Sequence, residues 1–148
     1  MIKYVSGNIF NSEADVIVNP VNTYGVMGKG LAKQFKDRYP KMFKIYYTAC
    51  KEKDFSIGQL MLISEKDHRI LLFPTKKHWK DKSKLEYIKE GLDKFVDNYE
   101  RLNIKSIAFP KIGCGLGGLD WADVNFALNY YLGNRDLDVY IYADPMEG

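Results

Sequence analysis

With 148 residues, 46% of them hydrophobic and 28% charged, the chain has the make-up of one globular domain long enough to bury a core. It has no long apolar stretch and no basic, apolar, small-residue start, so neither a membrane span nor a signal peptide is expected, and a cytoplasmic location follows. Two cysteines and two histidines exclude a disulfide framework and leave too few ligands for a structural zinc site, while a net charge of +3 permits nucleic acid or anionic small molecules without selecting either.

In chain order, a strand is expected at Asp15–Asn19, followed by the glycine-rich segment Gly25-Val26-Met27-Gly28-Lys29-Gly30. Helices follow from Lys29 to about Tyr39 and from Lys41 to about Lys51, then strands at Leu60–Ile63 and Ile70–Phe73. Leu85, Ile88, Leu92, Phe95, Val96, Tyr99 and Leu102 keep the three-and-four spacing of a helix, with Ser83 and Glu86 reading as its capping box. A strand at Ser106–Pro110 leads to a second glycine-rich segment, Gly113-Cys114-Gly115-Leu116-Gly117-Gly118. A helix at Trp121–Leu132 and a strand at Val139–Ala143 complete the pattern. Several strands are apolar without alternation, as in strands covered on both faces, so the fold class is α/β: a three-layer α/β/α sandwich around a mixed sheet with a parallel centre.

Each glycine segment follows an apolar run and leads into a helical pattern. Glycine permits positive φ and close backbone approach, so free amides and a helix N-terminus can converge on negative charge. Two such cradles imply one elongated, phosphate-bearing ligand; the alternative is two tight turns. Gly113, Gly115 and Gly118 have the dinucleotide-fingerprint spacing, but only one strand follows, too late for the first unit of a Rossmann fold. Gly25–Gly30 fails the P-loop pattern as well, because no Ser or Thr follows Lys29.

The chain resembles the macrodomains. The resemblance is carried by Val5-Ser6-Gly7-Asn8-Ile9, by Val18-Asn19-Pro20-Val21-Asn22 leading into Gly25–Gly30, by Phe73-Pro74-Thr75-Lys76-Lys77-His78-Trp79, and by Pro110-Lys111-Ile112-Gly113 running to Trp121. Residues 1–148 are thus expected to form a single macrodomain with an ADP-ribose cleft at the strand ends. The pairing of Gly-Val-Met-Gly-Lys-Gly with Pro-Thr-Lys-Lys-His-Trp is most similar to the DarG-type antitoxin macrodomains, which remove ADP-ribose from thymidine in DNA. The terminal ADP-ribose protein glycohydrolases are the related branch. The resemblance implies an ADP-ribosyl glycohydrolase needing no cofactor or metal, whose partners are ADP-ribose, ADP-ribosylated single-stranded DNA and a cognate ADP-ribosyltransferase toxin. DarG-type proteins commonly carry a second, toxin-binding domain; this sequence is either a standalone macrodomain or the macrodomain of a longer chain. Other readings of the same pattern are a non-catalytic ADP-ribose reader, or a hydrolase of protein-linked ADP-ribose or of ADP-ribose 1''-phosphate.

Carried over by position, the resemblance implies an ADP-ribose site of Gly7, Asn8, Ile9, Asn19, Asn22, Gly25, Val26, Met27, Gly28, Lys29, Gly30, Gly113, Cys114, Gly115, Leu116 and Gly117. Asn8 stands where the family usually has an adenine-binding aspartate, and its carbonyl can accept the same hydrogen bond. Asn22 would face the distal ribose; an Asx turn before Gly25 is its other reading. Lys76 matches the lysine of the DarG-like and terminal-glycohydrolase branches. Partial burial there would lower its pKa and supply a neutral amine that attacks the anomeric carbon. The protein-directed branch has an aspartate where this chain has Gly117, so its two-residue mechanism does not transfer. Lys77, His78 and Trp79, with Lys80, Lys82 and Lys84 following, place an aromatic ring in a basic cluster suited to single-stranded nucleic acid. His78 is a proton donor, a stacking partner or a structural histidine. Cys114 has no histidine near it in sequence and would act through its backbone.

Overall fold

The structure, a computed structural model, describes residues 1–143. It comprises β1 (Ile2–Val5), a 3₁₀ turn (Ile9–Asn11), β2 (Val16–Asn22), α1 (Gly30–Arg38), α2 (Pro40–Lys51), β3 (Met61–Glu65), β4 (His68–Lys76), α3 (Leu85–Asn98), β5 (Ser106–Pro110), α4 (Trp121–Leu132) and β6 (Asp138–Tyr142). The six strands form one sheet in the order β1-β6-β5-β2-β4-β3. Every neighbouring pair is parallel except β3 with β4.

Consecutive side chains of a strand point to opposite faces, and here both faces are buried. Val16, Val18, Leu71, Phe73, Ile107 and Phe109 join the core under α3 and α4. Ile17, Val21, Ile70, Leu72 and Ala108 join a second core under α1 and α2. Continuous apolar runs are therefore what this sheet requires, and the three-layer sandwich follows. α2 contributes Met42, Tyr46 and Cys50 at four-residue intervals, and α3 contributes Ile88, Leu92 and Phe95.

Several boundaries differ from the sequence expectation. β2 runs three residues further, to Asn22, and β4 extends to Lys76, because strand ends at the edge of the sheet carry polar residues that break the apolar signal. β1 was not expected: it is an edge strand with Lys3 and Tyr4 exposed, so no apolar run marks it. α3 stops at Asn98, and Tyr99 and Leu102 reach the core region through the turn that follows. The capping box does not form. Ser83 is buried, its hydroxyl donating to Thr75 Oγ1 (3.2 Å) and its amide to the Gly117 carbonyl (3.0 Å), so the helix is capped by Lys84 without a side-chain bond. Tertiary contacts outbid the local cap. Among the described residues no helix is long and apolar enough to cross a membrane.

α3 sits close to the sheet at Gly91, where an added Cβ would lie 2.4 Å from Cζ of the fully buried Phe73. Gly91→Val should overpack this contact by about 1–3 kcal/mol, lowering Tm by about 2–4 °C per kcal/mol in a chain of this size. Thermal unfolding checks it, and an unchanged Tm would mean that the Phe73 ring yields freely.

Candidate functional site

In open α/β sheets ligands bind beyond the carboxyl ends of the parallel strands. Here the ends of β2, β4 and β5 deliver Asn22, Lys76 and Pro110 to one edge. A cleft of about 320 Å³ opens there. Its walls are the end of β2 with the first glycine loop and first turn of α1, then Thr75, Lys76, Trp79 and Ser83, then Lys111 and the second glycine loop.

The first loop is organised by Asn22. Its Oδ1 accepts from the amides of Tyr24 (3.0 Å), Gly25 (3.0 Å) and Val26 (3.4 Å), while its Nδ2 donates to the Val26 carbonyl (2.8 Å). The Tyr46 hydroxyl rises from α2 to within 2.8 Å of the Asn22 carbonyl and 2.9 Å of Oδ1, and burial raises its pKa, keeping it a donor. The Asx turn thus forms, and Asn22, on the cleft wall, spends its side-chain polar atoms on holding the loop. Gly25 makes the reversal with φ +106, a region that side chains rarely adopt. The loop ends at Lys29, which caps α1 without a side-chain acceptor. By contrast, Glu65 accepts the Lys41 and Met42 amides in the first turn of α2, and Asp120 accepts the Ala122 amide at the start of α4. The first turn of α1, with Gly28, Lys29, Leu31 and Ala32 on the cleft wall, leaves its amide end toward the cavity.

Lys76 owes its place to an irregularity. β2 and β4 run in register until Val21 faces Pro74, and then Asn22 faces Lys76, so Thr75 is an extra residue. Such bulges re-aim side chains. Without it, Thr75 would stand opposite Asn22. Lys76 is partly buried, and its pKa is lowered by burial first and by Lys82 second, against the opposing pull of Asp81. Thr23 ties this strand end to the first loop, its amide lying 3.2 Å from the carbonyls of both Lys76 and Lys77.

The second loop is positioned by lack of space. A Cβ at Gly117 would fall 2.3 Å from Ser83 Oγ and 2.5 Å from the Gly113 carbonyl oxygen, and Gly113 and Gly118 hold φ of +75 and +78. The aspartate of the protein-directed branch has no room here. Among the described residues the lining includes Lys29, Lys76 and Lys111 and no carboxylate. With a helix N-terminus and two glycine loops, this suits an elongated anion.

Asn22, Val26, Gly28, Lys29, Lys76, Trp79, Gly113, Gly115, Leu116 and Gly117 line the cleft. Asn19 and Met27 are buried and outside the lining, with Asn19 Nδ2 3.7 Å from Met27 Sδ and Asn19 Oδ1 without a partner among the described residues. Gly25 and Gly30 turn the loop with positive φ, and the Cys114 thiol donates to the Ile112 carbonyl, with burial pushing its pKa up to about 11. Gly7, Asn8 and Ile9 stand further along the same edge, after β1 and apart from the cleft lining; Asn8 Oδ1 accepts the Phe10 amide (2.9 Å) and caps the 3₁₀ turn. Lys77 is exposed, with Nζ 5.9 Å from the Tyr87 ring centroid. His78 accepts the Lys80 amide at Nδ1 (3.1 Å) and places its ring 4.4 Å from Tyr24 and 5.4 Å from Trp79. Tyr46, Thr75, Ser83 and Lys111 were not expected. Thr75 and Lys111 stand within the segments that carry the resemblance and Ser83 reads in sequence as a helix cap, whereas Tyr46 lies hidden in the apolar stripe of α2.

The profile of the Macro domain family matches residues 18–127, the stretch holding both loops and Lys76. The chain belongs to the macrodomain family. It is 44% identical over 147 residues to a Mycobacterium tuberculosis protein named DNA ADP-ribosyl glycohydrolase, covering 96% of this chain and 42% of that protein. It is 38% identical over 165 residues to a Thermosipho africanus protein named as a fusion of a DNA ADP-ribosyl transferase with a DNA ADP-ribosyl glycohydrolase, covering 99% of this chain and 42% of the fusion. This macrodomain thus spans about two fifths of the length of these curated relatives. The solved macrodomain of Mycobacterium tuberculosis DarG superposes with a TM-score of 0.93 at 44% identity, covering 98% of this chain and 99% of that one. Thermosipho africanus DarTG, solved in complex with ADP-ribose, superposes at 0.89 and 38% identity, over 95% of this chain and 41% of that one.

The Tyr46 hydroxyl is the buried donor that secures this macrodomain's first loop. Tyr46→Phe should leave the Asn22 oxygens short of a donor and cost about 1–3 kcal/mol. Urea unfolding measures it; an unshifted midpoint would mean that the backbone amides alone hold the loop.

Proposed function

We propose that this macrodomain is a DNA ADP-ribosyl glycohydrolase, which removes ADP-ribose from thymidine in single-stranded DNA with Lys76 as nucleophile. The observation that carries this reading is the bulge that sets Lys76, its pKa lowered by burial, opposite Asn22 in a cleft whose described lining is basic and holds no carboxylate. The names of the relatives at 38–44% identity support the substrate class. In this reading the diphosphate lies between the two glycine loops near the start of α1, the adenosine end reaches toward Gly7, Asn8 and Ile9, and the distal ribose lies between Asn22 and Lys76. Lys77, His78 and Trp79 face the DNA beyond the cleft mouth. The fusion of transferase and glycohydrolase in the Thermosipho relative supports a cognate DNA ADP-ribosyltransferase as partner, and the DNA substrate a cytoplasmic setting.

The chemistry needs Lys76 as a free amine. Its lone pair forms a bond to the anomeric carbon as the bond from that carbon to thymine breaks. The proton released by the new alkylammonium goes to the departing base. Water then adds at the anomeric carbon, freeing ADP-ribose and restoring the lysine. Burial favours the neutral amine because it penalises the charged one.

Lys76→Ala should abolish release of ADP-ribose from modified oligonucleotide while leaving affinity for free ADP-ribose, about micromolar, within a few fold, because the lysine acts mainly in the transition state. Lys76→Arg should not rescue, since guanidinium keeps its proton. Chromatographic turnover assays and calorimetry read both quantities; full activity in Lys76→Ala would end the proposal.

The rate should rise with pH as Lys76 loses its proton, reaching its plateau at lower pH than an ordinary lysine allows, because the folded pKa is lowered. Release from thymidine-modified DNA should also exceed release from glutamate-modified protein in parallel assays. Equal release from both would mark a general ADP-ribose hydrolase.

A further inference from the structure

Exposed aromatic rings form two groups on this molecule, and charge separates them. One lies on α4, where Phe126 and Tyr130 are 72% and 75% exposed. Between residues 120 and 138 that side carries Asp120, Asp123, Asp136 and Asp138 against Arg135 alone. The other begins at the cleft mouth. Trp79, on the cleft wall, stands 5.4 Å from the His78 ring, and His78 stands 4.4 Å from Tyr24. Gly25, next in the chain, passes against Tyr47, so close that an added Cβ would lie 3.8 Å from Tyr47 Cδ1. Tyr47 in turn stands 6.1 Å from Phe43. Trp79, Tyr24 and Tyr47 are 42%, 58% and 46% exposed.

Cations flank this line along its length. Lys80 Nζ lies 5.0 Å from the Trp79 ring, Lys51 5.6 Å from Tyr47 and Lys36 4.4 Å from Phe43. α1 and α2 together carry Lys33, Lys36, Arg38, Lys41, Lys44 and Lys51 against Asp37 alone, which is itself paired with Lys33 at 2.8 Å. Aromatic faces in succession beside a basic surface are the recognition pattern of single-stranded nucleic acid, where bases stack and phosphates meet lysine or arginine. A protein partner would be served equally by the α4 rings, whereas a polyanion is served only by the α1–α2 side.

We infer that the line from Trp79 through His78 and Tyr24 to Tyr47 and Phe43 is a track for single-stranded DNA, carrying the strand away from the modified nucleotide across the first loop and onto α2. The inference rests on the glycohydrolase reading for its substrate and extends the DNA surface well beyond residues 77–79. The track supplies length-dependent affinity, and a modified mononucleotide, too short to reach it, does not use it.

The test is anisotropy of a fluorescent, unmodified oligothymidine titrated with the full chain across a salt series. Tyr47→Ala should weaken binding about fivefold or more, the loss expected for one stacked base. Lys36→Glu combined with Lys51→Glu, both at exposed positions where folding is not at stake, should weaken binding and lower the slope of log K against log salt by about 0.7 per phosphate lost. Phe126→Ala with Tyr130→Ala should bind like the parent. Absence of binding by the parent, equal affinity in the α1–α2 variants, or an equal loss in the α4 variant would each overturn the track. Release of ADP-ribose from a modified thymidine mononucleotide, assayed beside it, reports on the glycohydrolase reading alone: if the parent releases none, that reading falls while anisotropy still decides the track.

Discussion

A side-chain amide at the end of β2 holds the cleft in shape. Asn22 gathers the amides of three successive residues on one oxygen, returns a bond to the Val26 carbonyl and receives the Tyr46 hydroxyl from the neighbouring helix. The Gly25 amide and the Tyr46 hydroxyl among them are buried, and a buried group left unpaired costs about 1–3 kcal/mol. The chain can crowd so many donors around one acceptor only because Gly25 takes a conformation that a side chain resists. Once the loop is closed in this way, the direction in which α1 sets out follows, and with it the position of the helix's free amide end.

The other two walls hang from the same strand ends. Thr23 binds the first loop to the carbonyls around Lys76, and Ser83 joins Thr75 to the carbonyl of Gly117. The loops are therefore linked through the last residues of β4, the strand that carries the lysine. The packing of Ser83 also fixes what the second loop can contain. Position 117 accepts no side chain, so a carboxylate there, as in the protein-directed branch, would require Ser83 and the Gly113 carbonyl to move.

The apolar interior of the fold was legible in the sequence. α4 was read to the residue, Trp121–Leu132, and in the structure Asp120 caps it while Val124 and Leu128 are buried. The middles of β2, β4 and β5 were equally plain, since a strand covered on both faces can hardly be anything but apolar. The carboxyl ends of β2 and β4 were not, because the residues that leave the core there to build a site are polar and resemble loop. The bulge at Thr75 left no mark in the sequence, as register is a relation between two strands and neither strand states it alone. The serine at 83 had a good local role as a helix cap and took a different one, because burial beside Thr75 offered its hydroxyl a partner. Both glycine segments were recognisable from composition and position, whereas Tyr46 was concealed by serving two purposes, its ring in the core and its oxygen at the loop.

The opposed charges of the two helical layers give the molecule a dipole across its sheet, with α1 and α2 at the positive end and the flanks of α4 at the negative end. A net charge of only +3 draws such a molecule weakly toward a polyanion as a point charge would be drawn. A dipole experiences a torque as well as a pull. In the field of any extended polyanion the molecule turns its α1–α2 side inward before contact, so encounters are sorted by orientation and fewer collisions are wasted. The gain is in the rate of arrival rather than the strength of holding, and dissolved salt erases it over distances of about 8–10 Å.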